Sequence, residues 1–125
     1  MKILFAPNLI VSGLSEADRA RILEAAGPGA RIVEAKDEAT QRRELPDADI
    51  IFGRAHPGLF SLAARLAYYH STGAGVDSIL TTELITHPAR LASEKGEVAI
   101  HLAEHAFALL LTITRGLHTA IRTPD

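Results

Sequence analysis

Strand-like runs and helix-like stretches take turns along the first 96 residues, and this alternation constrains the fold more than any other feature. Short apolar runs at 3–6, 31–35, 49–52, 66–70 and 90–93 read as strands, the first closed by Pro7-Asn8 and the third by Gly53-Arg54. Between them, Ser15 offers a helix N-cap to Ala17, Ile22, Leu23 and Ala26, and Gly27-Pro28-Gly29 ends that helix. Residues 37–45 read as a polar helix. His56-Pro57 opens another through Leu59, Phe60, Leu62 and Ala63, and a short helical piece covers 78–85. Strands separated by helices at this rhythm pair in parallel, with helices on both faces of the sheet.

Because such crossovers are right-handed, the expected closure is an α/β, flavodoxin-like, doubly wound sheet of five parallel strands. The chain has 125 residues, 47% of them hydrophobic and 22% charged, which suits one soluble domain with a real core. A net charge of −2 gives no electrostatic reason to expect nucleic acid or an anionic membrane as a partner. The absence of cysteine excludes disulfides, thiolate catalysis and Cys-zinc sites. Met1-Lys2-Ile3 runs straight into a strand with no apolar leader, so a cytoplasmic protein is expected.

The segment 97–121 stands apart. It is rich in helix formers, only Gly116 interrupts it, and its apolar residues wrap most of the helix circumference. A helix apolar all round is normally buried all round, whereas Glu104, His101, His105 and Arg115 break it too often for a membrane span. The reading is therefore two parts: a substrate-side domain at 1–96, then an interdomain-type helix at 97–125 that leads towards a partner absent from the chain. Without that partner the helix is expected to pair with its counterpart in a second copy, giving a homodimer through 97–121.

Gly73-Ala74-Gly75, followed by Val76-Asp77-Ser78, nearly spells a dinucleotide fingerprint, with Glu94 at the distance of a ribose-binding acid. The sixth position is Ser78, however, and the helical piece after it ends at His87-Pro88, too short for a phosphate-binding helix. Two readings of the loop stay open: a nest of N–H groups for an anion, or a tight turn that needs positive φ. Arg54 at the end of the third strand lies where open α/β sheets bind ligands; it either meets a carboxylate or phosphate, or pairs with Asp77 or Glu97. His101-Leu102-Ala103-Glu104-His105 matches the inverted zinc-protease signature, but no third ligand or second helix accompanies it, so no metal site is assigned. His56, His70, His87 and His118 have no acidic partner in the sequence and are read as structural or exposed, and one of Tyr68 and Tyr69 as core. A response-regulator receiver would need acids where Pro7-Asn8 and Gly53-Arg54 stand, and a flavodoxin a phosphate loop where Pro7–Val11 stands.

Three stretches in order carry a family resemblance. They are Ile50-Ile51-Phe52-Gly53-Arg54, then Tyr69-His70-Ser71-Thr72-Gly73-Ala74-Gly75-Val76-Asp77, then Gly96-Glu97-Val98-Ala99 through Ala103-Glu104 to Arg115. Together they resemble the D-isomer-specific 2-hydroxyacid dehydrogenase family, over essentially the whole chain. The resemblance implies the substrate-domain portion of an NAD(P)-dependent oxidoreductase that reduces 2-oxo acids, truncated before its NAD-binding domain and inactive alone. It implies that Gly73, Ala74, Gly75 and Val76 hold the substrate carboxylate through N–H groups while Arg54 meets its far end. NAD or NADP belongs to the complete enzyme, and no catalytic, cofactor or metal residue is assigned within this chain. A non-catalytic module that binds a small acid or a protein is the alternative.

Overall fold

The computed structural model describes residues 1–123 and divides into two units, Met1–Glu94 and a second that begins at Lys95. In the first unit, strands β1 (Lys2–Ala6), β2 (Arg31–Glu34), β3 (Ile50–Gly53), β4 (Tyr68–Ser71) and β5 (Arg90–Ser93) form one parallel sheet in the order β2-β1-β3-β4-β5. This is the expected doubly wound, flavodoxin-like order. Helix α1 (Glu16–Ala26) follows β1, α2 (Glu38–Glu44) with a 3-10 turn (Leu45–Asp47) follows β2, and α3 (Thr82–Thr86) precedes β5.

Register explains why these runs became strands. Val33, Leu4, Ile51, Tyr69 and Leu91 lie in one row across the sheet. Leu45, Leu59, Phe60, Ala63, Ile79 and Leu84 close over that row, with the Phe60 and Tyr69 rings 5.4 Å apart. The period of two puts Phe5, Phe52 and His70 on the opposite face, where Phe5 stacks on Phe52 at 5.7 Å. β1 is an interior strand, paired on both sides and buried along its whole length, so it reads as a continuous apolar run and not an alternating one.

Caps set most of the remaining boundaries. Ser15 and Asp18 form a reciprocal capping box on α1, and Gly27 ends that helix at φ 82°. The helix expected from His56-Pro57 is instead a 3-10 helix (Pro57–Leu62): the Leu59 and Ala63 N–H groups donate three residues back, to the His56 and Phe60 carbonyls, and His56 Nδ1 accepts the Gly58 N–H. The helical piece begins at Thr82 and not at 78, because Ile79 and Leu80 both donate to the Val76 carbonyl in a turn and Thr81 then caps α3. β4 starts at Tyr68 because Leu66 donates back to Ala63 in a turn.

The second unit corrects the single helix expected over 97–121. It holds α4 (Ala99–Thr114) and α5 (Leu117–Arg122), broken at Arg115-Gly116, where Gly116 takes φ 62°. That left-handed residue ends α4 as glycines commonly do, so the apolar pattern spans two helices. Within the expected 97–125 segment, 97 and 98 lie in a turn, and 124 and 125 lie outside the described residues. Among the described residues no helix is long and apolar enough to cross a membrane.

The N-terminal edge of the sheet is closed by charge. Lys2 Nζ, almost fully buried, donates to the Glu44 carbonyl at 2.7 Å and pairs with the Glu44 carboxylate at 2.9 Å and with Asp47. Asp49 accepts the Lys2 N–H at 2.7 Å and pairs with Arg65 at 2.7 Å. Hydrogen bonds from Lys2 and then Arg43 lower the Glu44 carboxyl from 4.5 to about 2, and Asp47 and Asp49 shift the same way. The folded protein thus binds fewer protons than the unfolded chain across that interval. The stabilisation is complete above the unfolded value and is lost as pH falls through the folded one. Urea midpoints should fall steeply between pH 5 and pH 2, and Lys2→Met should flatten that slope.

Candidate functional site

Parallel strands all point their C-terminal ends to one edge, and the crossovers leave β1 and β3 in opposite directions, which opens a crevice between them. A cleft of about 610 Å³ lies there, lined by residues that follow β1, β2, β3 and β4. The strand-to-loop transitions at this edge build it.

Gly53 makes the first transition. It takes φ 116°, and a Cβ at that position would sit 1.9 Å from the Ala6 carbonyl oxygen. Only glycine permits this approach of β3 to β1. The next residue, Arg54, donates its N–H to the same carbonyl at 2.8 Å, so its side chain leaves from a fixed point on the cleft wall. The guanidinium donates to Ser78 Oγ at 3.1 Å. Its partner is this neutral hydroxyl and not Asp77, which leaves most of its planar fork for a ligand.

Asn8 makes the second. Its side-chain oxygen accepts the Ile10 and Val11 N–H groups at 2.8 and 2.9 Å, and its amide donates to Thr72 Oγ1 at 2.6 Å. The loop after β1 is thereby folded on itself and tied to the loop after β4. Sequence pattern marks Pro7-Asn8 only as an exit loop. The signal that could have found Asn8 is the ability of asparagine to cap N–H groups two and three residues on.

The loop 72–78 makes the third. Gly73 donates to Ser71 Oγ at 3.4 Å, and its carbonyl accepts from Glu94. Among the described residues, the N–H groups of Ala74, Gly75 and Val76 donate no hydrogen bond. Neither Gly73 nor Gly75 takes a positive φ, so the reading of the loop as a positive-φ turn is overturned. A Cβ on either would meet only ordinary contacts of 3.7 Å or more. Both glycines line the cleft, with Ser71 and Ser78 beside them. Ser78 is in the sequence only a misfit to a fingerprint, and Ser71 stands in the family-like stretch 69–77 with no role assigned to it.

The histidines divide. His70 Nε2 lies 2.6 Å from Glu94 Oε1 and has Tyr68 hydroxyl on its other nitrogen at 3.4 Å. Its acidic partner therefore comes from the neighbouring strand's end, out of reach of local spacing. His87 is structural, with Nε2 at 2.9 Å from the Ala63 carbonyl and Nδ1 accepting the Ala89 N–H. Tyr69 is the core tyrosine, and burial raises its hydroxyl pKa. His101, Glu104 and His105 lie on α4 and are exposed. Among the described residues no group of three potential ligands is placed to hold a metal.

A nicotinamide dinucleotide does not fit the turns present. The glycine loop after β4 runs into a turn and the five-residue α3, while α1 opens with Glu16 and Asp18, which would repel a pyrophosphate.

No family model and no curated protein matches the chain by sequence. Among solved structures it is similar to a D-isomer specific 2-hydroxyacid dehydrogenase family protein from Aeromonas salmonicida subsp. salmonicida A449, with TM-score 0.67, 25% identity, and 97% of this chain and 38% of that one covered. It is similar to an NAD-dependent formate dehydrogenase from Staphylococcus aureus in complex with NAD, with TM-score 0.69, 20% identity, and coverage of 98% and 41%. It is also similar to an acyclic imino acid reductase in complex with NADPH and D-Arg, with TM-score 0.69, 20% identity, and coverage of 98% and 40%. The chain spans about two fifths of the length of these proteins. The structural neighbours thus include the family that the three sequence motifs resemble.

Replacing Gly53 with alanine forces its Cβ into the Ala6 carbonyl, so it should cost about 3 kcal/mol or more through strain and displaced strands. Gly73→Ala, whose Cβ meets nothing closer than 3.7 Å, should stay within about 1 kcal/mol of the unaltered protein. Urea unfolding of the two variants checks the contrast.

Proposed function

We propose that residues 1–94 are the substrate side of an NAD(P)-dependent oxidoreductase acting on the CH–OH group of D-2-hydroxy acids in the cytoplasm. The observation that carries this reading is the trio of unpartnered N–H groups at Ala74, Gly75 and Val76, in a loop that shares the switch-point cleft with Arg54. Backbone N–H groups suit a carboxylate, whose charge strengthens each bond without a second ion to be desolvated. Arg54 then meets the far end of the acid. In the complete enzyme NAD or NADP supplies the hydride. These residues bind and orient the acid, and by themselves transfer no hydride and bind neither cofactor.

An acid gripped by these groups alone should bind at millimolar strength, of order −4 kcal/mol. Titration with pyruvate or glyoxylate should move the amide signals of 73–76 most, and Arg54→Ala should weaken the binding. Calorimetry with NADH or NADPH should detect no site. Shifts confined to His101 and His105 on adding zinc would replace this reading with a metal site.

The second unit supports a homodimer. Ile100, Leu102, Phe107, Leu109, Leu110, Leu111 and Ile113 on α4 are each more than half exposed. Burying one such side chain is worth roughly 1.5–3 kcal/mol, so α4 gains by packing on its counterpart around a two-fold axis. Sedimentation at tens of micromolar should show a dimer, and polar replacements at Phe107 and Leu110 should shift it to monomer. A monomer with α4 ordered would overturn the dimer.

A further inference from the structure

The direction of the first free N–H in the loop is set by a peptide whose other end is held. The Gly73 carbonyl accepts the Glu94 N–H at 3.3 Å. That carbonyl shares a plane with the Ala74 N–H, and in a trans peptide the two point in opposite directions. Aiming the carbonyl at Glu94 therefore aims the Ala74 N–H away from the end of β5. Gly73 carries no Cβ to resist rotation, so this peptide would turn over cheaply if the bond to Glu94 were lost.

Glu94 is in turn held from the side. It follows β5, and its carboxylate lies 2.6 Å from His70 Nε2 on the neighbouring β4. His70 is steadied by the Tyr68 hydroxyl at 3.4 Å and by the Phe52 ring at 5.5 Å. The imidazole and carboxylate are only 27% and 39% exposed, so their contact is partly shielded from water. Neither residue lines the cleft.

We propose that Glu94, clasped by His70, is a positioning residue that keeps the Gly73–Ala74 peptide turned so that the Ala74 N–H faces an anion. This rests on the reading of 73–76 as the carboxylate-holding loop. The clasp acts on the orientation of a donor and not on the donor itself, so it sets affinity for the acid without touching it.

Pyruvate titrations by amide shift, on the 125-residue protein and on His70→Leu, Glu94→Ala and Glu94→Gln, test this. His70→Leu and Glu94→Ala should each weaken pyruvate binding about tenfold, the equivalent of one hydrogen bond to a charged group. In both, the Ala74 amide should broaden or double before pyruvate is added. Glu94→Gln keeps an acceptor for His70 and should stay within about twofold of the unaltered protein. Thermal melts of every variant separate this from general loosening: lost affinity that merely follows the unfolded fraction overturns the proposal. So does an unchanged Ala74 signal in His70→Leu and Glu94→Ala, or Glu94→Gln behaving like Glu94→Ala. If the unaltered protein binds no pyruvate, the carboxylate reading of the loop falls, and the Ala74 signal alone decides the clasp.

Discussion

At the end of β3, the Gly53 backbone lies so close to the Ala6 carbonyl that no side chain fits between them. The central strand and its neighbour therefore finish together, and Arg54 starts from that shared end through its own bond to the Ala6 oxygen. In a doubly wound sheet this is also where the crossovers part, one towards β2 and the other towards β4. The crevice is a consequence of topology, but its floor height and the origin of its arginine come from one glycine. The loops after β1 and β4 are then joined across the cleft by the bond from Asn8 to Thr72.

The two edges of the sheet solve opposite problems. At the N-terminal edge a buried ammonium, Lys2, is surrounded by Glu44 and Asp47, while Asp49 takes the Lys2 N–H. Polar groups there are answered within the protein, as burial requires. At the C-terminal edge Ala74, Gly75 and Val76 leave their N–H groups unanswered, and the Arg54 guanidinium has only a serine hydroxyl. Donors left open at a cleft cost little while water reaches them, and they are ready for an acceptor with charge.

The strands were legible because each carries a run of apolar residues closed by a turn former, and parallel order followed from the helices between them. The features that escaped depend on geometry that periodicity does not encode. Gly116 looks like one weak residue inside a long helical pattern, yet its left-handed φ ends α4. His56-Pro57 reads as a helix start, yet yields only a 3-10 helix. At the site, Arg54 and the 73–76 loop were visible as a cation after a strand and a glycine pair. The His70–Glu94 contact was not, since it joins residues whose neighbourhood exists only once β4 and β5 pair. Of the two readings left open for Gly73 and Gly75, the positive-φ turn fails, and it is Gly53 that takes the positive φ.

Local sign, not net charge, governs what the cleft can take. The chain carries −2 overall, which would weakly oppose an anion at long range, but beyond a Debye length such fields are screened. Within the cleft the charged residues on the wall are Arg54 and Lys36. Two acids lie near the glycine loop, and neither lines the cleft. The Asp77 carboxylate lies 3.8 Å from where a Gly75 Cβ would stand, and Glu94 is turned to His70. Lys36 is itself paired with Glu34 at 3.4 Å, so its charge is partly answered. Arg54 has no carboxylate partner among the described residues, which makes it the strongest unneutralised charge facing the cleft. On the same wall stands Gly75, whose N–H donates no hydrogen bond among the described residues, so a cation without a carboxylate partner and an open donor share one cleft.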